Sequence, residues 1–209
     1  MPESPNNEGQ GVRIIAGLGN PGREFVGTRH NIGFAVLDRL ASLLGATFSK
    51  ETKWDAHMAR VQDPEVVLMK PTTFMNLSGE AVHEYADFHR IPAASTLVVL
   101  DDVSLPLGTL RLRREGSSGG QKGLESVLIH FATEAVPRLR IGVGGASGDL
   151  SSHVLSRFDE AEREAAENAT LRAAEAALCV MRQGMEAAMN LYNATPSTDK
   201  PQETTANTP

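Results

Sequence analysis

Four polar stretches that follow apolar runs in this chain carry side chains whose types and spacing could do acid–base and hydrogen-bonding chemistry. They are GLGNPG (17–22) leading to TRHN (28–31), KPTTFMNLSG (70–79), the acid pair Asp101-Asp102, and GSSGGQKG (116–123). A histidine placed like His30 can take a proton near neutral pH, because imidazole titrates at about 6.5. A carboxylate such as Asp101 on the other ring nitrogen would fix the tautomer and steady the imidazolium as it forms. Asn20 and Asn76 offer both donor and acceptor without charge, which suits holding a polar substrate. Arg111, Arg113, Arg114 and Lys122 gather around the fourth stretch, on a chain whose formal net charge is −6. Residues 159–186 hold seven acids and three arginines. An acidic body with one basic face predicts local, salt-sensitive phosphate binding and argues against a strongly basic nucleic-acid binder.

Each residue also has a plainer reading. His30 or Asp101 could cap a helix or turn. Asn76 could cap a helix starting near 77, although Ser78 could do so and leave Asn76 free. Asn20 could serve its own turn before Pro21. Phe25 could be packing or a stacking platform, and Arg111 and Arg113 could be a solvated strand face.

Other chemistries fit poorly. Gly17, Gly19 and Gly22 match the spacing of a dinucleotide-binding loop, but the helical pattern opens only near residue 31 and Asp38 falls inside it. The later glycine-rich loop lacks the Gly-Lys-Ser/Thr order of a Walker motif. The letters G-x-S-x-G occur at Gly116–Gly120, but Arg114 and Glu115 part them from the strand pattern at 109–113 that an elbow needs directly before it. The six histidines form no H-E-x-x-H pair and Cys179 is the sole cysteine, so zinc motifs and disulfides are not expected.

The elements that would position these loops alternate. Apolar strand patterns occupy residues 13–18, 66–69, 96–100, 109–113 and 138–143. Helical patterns occupy 31–44, 77–89, 123–131 and a long alanine-rich 159–193. The expected fold is a single-domain three-layer α/β/α sandwich around a twisted mixed, mainly parallel sheet, with the site at strand ends. The expected organisation is a loose tail at 1–12, a folded domain at 13–194 and a disordered tail at 195–209, rich in Thr and Pro. Residues 145–152 suggest a flap. With no signal or membrane segment in view, a cytoplasmic protein is expected.

The polar stretches extend into longer blocks: GLGNPGREFVGTRHNIGF (17–34), KPTTFMNLSGEAV (70–82), DDVSLPLGTLRLRREGSSGGQKGL (101–124) and RLRIGVGG (138–145). Their order and spacing resemble the signature blocks of bacterial peptidyl-tRNA hydrolases. The resemblance covers most of the folded region before the last helix. It implies hydrolysis of the ester of N-blocked peptidyl-tRNA during translation, with no cofactor or metal and no membrane or obligate protein partner. A monomer is expected.

By the same resemblance, His30 is the catalytic base and Asp101 its partner. Asn20 and Asn76 contact the substrate's peptide and terminal nucleotide, Phe25 lies against the tRNA 3′ end, and Arg111 and Arg113 lie near its phosphates. Two positions depart from the pattern. Many relatives read GGHNGL where this chain has Gln121 and Lys122, and many carry an acid at Ser104. Lys122 cannot accept a hydrogen bond while charged, so it is expected to donate to an oxyanion or clamp a phosphate. A non-catalytic RNA-binding relative is the competing reading.

Overall fold

The computed structural model describes residues 11–145 and 148–193. The expected tails therefore lie outside it, apart from residues 11–12, and so do residues 146–147 of the expected flap. In chain order the elements are β1 (Ile14–Gly17), α1 (Ile32–Leu44), β2 (Ser49–Glu51), β3 (Ala56–Gln62), β4 (Glu65–Pro71), α2 (Ser78–Phe88) and β5 (Thr96–Asp102). There follow β6 (Leu110–Arg113), α3 (Lys122–Phe131), β7 (Arg138–Gly142), α4 (Leu150–Leu155), α5 (Glu160–Gln183) and α6 (Met185–Tyr192).

The strands form one seven-stranded mixed sheet, ordered β2-β3-β4-β1-β5-β7-β6. The four middle strands, β4, β1, β5 and β7, run parallel. The margins are antiparallel, so only three of six pairings are parallel, fewer than expected for a mainly parallel sheet. Every residue of β1 and β5 is buried. This explains their continuous apolar runs, since a strand covered on both faces has no wet side to alternate with.

One face packs Ile15, Leu68, Val99 and Ile141 against α1, α5 and α6. The other packs Ala16, Met69, Val98 and Leu100 against α2 and α3. Helix α1 buries Ile32, Val36, Leu37, Leu40 and Ala41 and stops at Gly45, which takes the left-handed conformation (φ 64°). Helix α5 opens with a reciprocal capping box between Asp159 and Glu162. It buries a run of alanines, Ala166 to Ala177, whose small side chains let it lie close against α1 and the sheet.

The sequence reading missed β2 and β3, and α4. In β3 the polar His57, Arg60 and Gln62 interrupt Ala56, Met58, Ala59 and Val61, which divide between the two cores. The single long helix expected over 159–193 is two helices, broken at Gly184, whose φ of 88° no helix interior accepts. Beyond α6, the Asn193 side chain accepts from Leu112 N (2.6 Å) and donates to Leu112 O (3.1 Å) on the edge strand β6.

Among the described residues, no helix is long and apolar enough to cross a membrane. Cys179 lies buried in α5, and burial pushes its thiol above the ordinary range. A disulfide reagent should therefore label Cys179 at least ~100-fold more slowly in native buffer than in denaturant. Stopped-flow absorbance against denaturant concentration checks this, and equal rates would mean that α5 is not seated as described.

Candidate active site

Parallel strands that share a direction deliver their following loops to one end of the sheet, where polar groups can converge. Here β1 leads to Asn20, β4 to Asn76, β5 ends in Asp101-Asp102, and β7 leads to Gly144. His30 comes from a 3₁₀ turn, Arg29–Asn31, just before α1. That turn is pressed onto the sheet because α1 begins with glycine at its second position. A Cβ on Gly33 would lie 2.5 Å from the carbonyl oxygens of both Leu18 and Val99.

His30 Nδ1 lies 2.9 Å from Asp101 Oδ2. A carboxylate can only accept, so Nδ1–H donates, and the lone pair sits on Nε2. His30 Nε2 has no hydrogen-bond partner among the described residues. The histidine side chain is 14% exposed and the carboxylate 3%. The second oxygen, Asp101 Oδ1, accepts from Gln121 Nε2 at 3.0 Å. This buried acid therefore has both oxygens satisfied.

Asn20 is buried, and its neighbours fix it. Its backbone N–H donates to Asn31 Oδ1 and its carbonyl accepts from Asn31 Nδ2, both at 2.9 Å. Its side-chain Oδ1 accepts from Met75 N at 2.8 Å. That leaves Asn20 Nδ2 as the polar atom without a protein partner among the described residues. Asn31 and Met75, neither singled out from sequence, thus tie the His30 turn, the Asn20 loop and the Asn76 turn together.

Asn76 is exposed in the 3₁₀ turn Met75–Leu77. Neither Asn76 nor Ser78 makes the capping bond that each could have made. Leu77 stands at the start of α2 without a side-chain cap, Ser78 Oγ is buried without a partner among the described residues, and the N–H of Gly79 is met by Ser126 Oγ at 3.0 Å. Phe25 is half-buried in the turn Arg23–Phe25, and its carbonyl accepts from Thr28 N and Oγ1.

Three sequence candidates stand apart from this group. Lys122 is 68% exposed at the first turn of α3 and pairs with Glu125 at 2.9 Å. Its neighbour Gln121, not Lys122, reaches Asp101. Arg111 and Arg113 sit on β6, two strands from β5. The register pairs Arg111 with Arg140 and Leu100, so these arginines share a face with Asp102 and not with Asp101. Arg140 pairs with Asp102 at 2.6 Å, and Ser104 donates its hydroxyl to Asp102 Oδ1 at 2.6 Å. Asp102 is thereby engaged with Arg140 and Ser104 and not with His30.

Arg29 and Arg138 were also missed. Buried Arg29 donates to Ser156 Oγ and Arg157 O, pairs with Glu162 and stacks over Phe158. It anchors the His30 turn to the α4–α5 junction. Arg138 is buried and donates to the carbonyls of Gly116, Ser117, Glu134 and Val136. Burial, then the nearby Arg140 charge, lower its pKa below the usual guanidinium range. Their sequence signal was faint, since a buried arginine reads like a surface one until its partners are known.

A mixed sheet covered on both faces, with an imidazole–carboxylate pair at the ends of its parallel strands, is the architecture of an α/β enzyme. The chain belongs to the peptidyl-tRNA hydrolase family, whose model matches residues 14–202. It is 44% identical over 181 residues to the peptidyl-tRNA hydrolase of Thermoanaerobacter sp. strain X514, covering 86% of this chain and 98% of that one. It is 46% identical over 183 residues to that of Caldanaerobacter subterraneus subsp. tengcongensis, with the same coverage. The crystal structure of peptidyl-tRNA hydrolase from Acinetobacter baumannii superposes with a TM-score of 0.83 at 32% identity, covering 88% of this chain and 95% of that one.

The packing beneath the site leaves no room at Gly123, in the first turn of α3. A Cβ there would collide with Met75 Sδ and lie 2.8 Å from Leu18 Cδ1. Gly123→Ala should cost ~1–3 kcal/mol, lowering Tm by about 2–10 °C. Calorimetry checks this, and an unchanged Tm would mean that the Met75 turn yields freely.

Proposed function

We propose that this chain hydrolyses the ester joining a peptide to tRNA, releasing the peptide and a reusable tRNA. The observation that carries the reading is the His30–Asp101 contact, with Nε2 unpartnered among the described residues, at the strand-end loops of a chain in this family. Water is a poor nucleophile at neutral pH. His30 Nε2 would take its proton as it attacks the ester carbonyl, and Asp101 would hold the ring's tautomer and balance the imidazolium. The peptide runs past Asn20, whose free Nδ2 donates to a substrate carbonyl. The terminal adenosine lies near Phe25 and Asn76. Arg111 and Arg113, with Lys122 at the nearer edge, take phosphates of the acceptor stem. Contacts to the first peptide bond, which a free α-amino group cannot reproduce, would spare aminoacyl-tRNA. The catalytic unit is a monomer spanning about residues 13–194, working in the cytoplasm without a cofactor.

The decisive experiment is release of labelled peptide from N-acetyl-aminoacyl-tRNA with chelator present. Wild type should release it. His30→Ala should be slower by roughly 100- to 10,000-fold while binding tRNA normally. Release at the wild-type rate by His30→Ala would remove His30 as the base.

The phosphate reading has its own test. Arg111→Ala and Arg113→Ala should each raise KM and lower the slope of log binding against log salt by about 1, with kcat little changed. Salt titration of tRNA affinity measures this, and an unchanged slope would leave the pair as a solvated strand face.

A further inference from the structure

We propose that Gln121 is a positioning residue for this reaction. Its amide links the start of α3 to Asp101, holds the carboxylate against His30, and tempers how strongly that carboxylate grips the imidazolium. The inference rests on the reading of His30 and Asp101 given above.

Helix starts favour Ser, Thr, Asp or Asn, whose short side chains reach the free N–H groups. Gln121 stands at that place in α3, and its Oε1 accepts from Leu124 N at 2.7 Å. This fixes which way the amide points. A flipped amide would set NH₂ against an N–H and an oxygen against a carboxylate. With Oε1 committed to the helix, Nε2 must face Asp101, and it lies 3.0 Å from Oδ1. Nε2 also comes within 3.4 Å of Met75 Sδ, the side chain that packs under Gly123.

A shorter cap residue would satisfy the helix but not reach the acid, so Asp101, not the helix, explains glutamine here. The loop that delivers it is held in turn. Arg138 grips the carbonyls of Gly116 and Ser117, and Gly119 and Gly120 take positive φ (59° and 86°) just before Gln121.

Other charges around the pair are engaged elsewhere. Arg29 meets Glu162, Asp102 meets Arg140, Lys122 meets Glu125, and His153 Nε2 meets Gly144 O at 3.0 Å. Gln121 is thus the side chain besides His30 that donates to Asp101 among the described residues. A neutral donor on Oδ1 draws charge from the carboxylate. It also narrows the range of angles the carboxylate can take while it keeps its contact with His30 Nδ1.

Gln121→Ser separates the two ends of the amide, since serine caps a helix well but cannot span to Asp101. Gln121→Glu keeps the reach and sets one carboxylate against another. Peptide release from N-acetyl-aminoacyl-tRNA is measured for both across pH, beside Tm. For Gln121→Ser we expect Tm within about 2 °C of wild type, KM within about twofold, and kcat down about tenfold. The acid limb of kcat/KM should move to higher pH, because the barer carboxylate holds the imidazolium more tightly. Gln121→Glu should lose more activity than Gln121→Ser. A serine variant with wild-type kcat and an unmoved acid limb would overturn the proposal. So would kcat and Tm falling together with the limb unmoved, which marks a purely structural role. Failure of the underlying reading looks different: wild type releases no peptide, or His30→Ala releases it at full rate. Either result would overturn both.

Discussion

A carboxylate removed from water must find donors for both oxygens, and Asp101 sits near the end of β5, a strand buried along its whole length. The rest of the site follows from meeting that demand. One donor arrives from the turn before α1 on one side of the sheet, the other from the start of α3 on the opposite side. The two helices belong to separate hydrophobic clusters, one beneath α1 and one beneath α3. The acid is one place where these two halves of the molecule meet in a polar contact, beside the Asn31–Asn20–Met75 chain. The same geometry that neutralises the burial cost selects one ring nitrogen of His30 and leaves the other open.

Close approach is what makes that meeting feasible. The turn carrying His30 can touch the strand ends because Gly33 presents no side chain to the Leu18 and Val99 carbonyls. Helix α3 settles over Met75 because Gly123 is bare as well. Met75 in turn receives the Asn20 side chain through its backbone N–H. A methyl group at either glycine would be felt several residues away, since close-packed interiors pass displacement along.

Much of this was legible in the chain itself. Continuous apolar runs marked β1 and β5, the central strands, because a strand covered on both faces leaves a near-unbroken hydrophobic signature. The polar loops after them marked the end of the sheet where His30, Asp101, Asn20 and Asn76 gather. What escaped notice had physical reasons. The β2–β3 margin carries mixed residues, since one antiparallel hairpin serves two cores and a wet edge. The break at Gly184 hid within a helical composition on both sides. Arg29, Arg138 and Gln121 look like surface residues by type, and only long-range partners reveal them as struts. Lys122 drew attention by its unusual type, while the adjacent glutamine makes the contact with the acid.

The Asn193 side chain matters in another way. A strand at the margin of a sheet shows a row of outward N–H and C=O groups that invites another backbone to join. By answering both groups of Leu112 with one primary amide, Asn193 imitates a single residue of an eighth strand that can go no further. At the opposite margin β2 has only three residues, too short to template much pairing. Small local devices thus shorten, at each margin, the line along which another strand could dock.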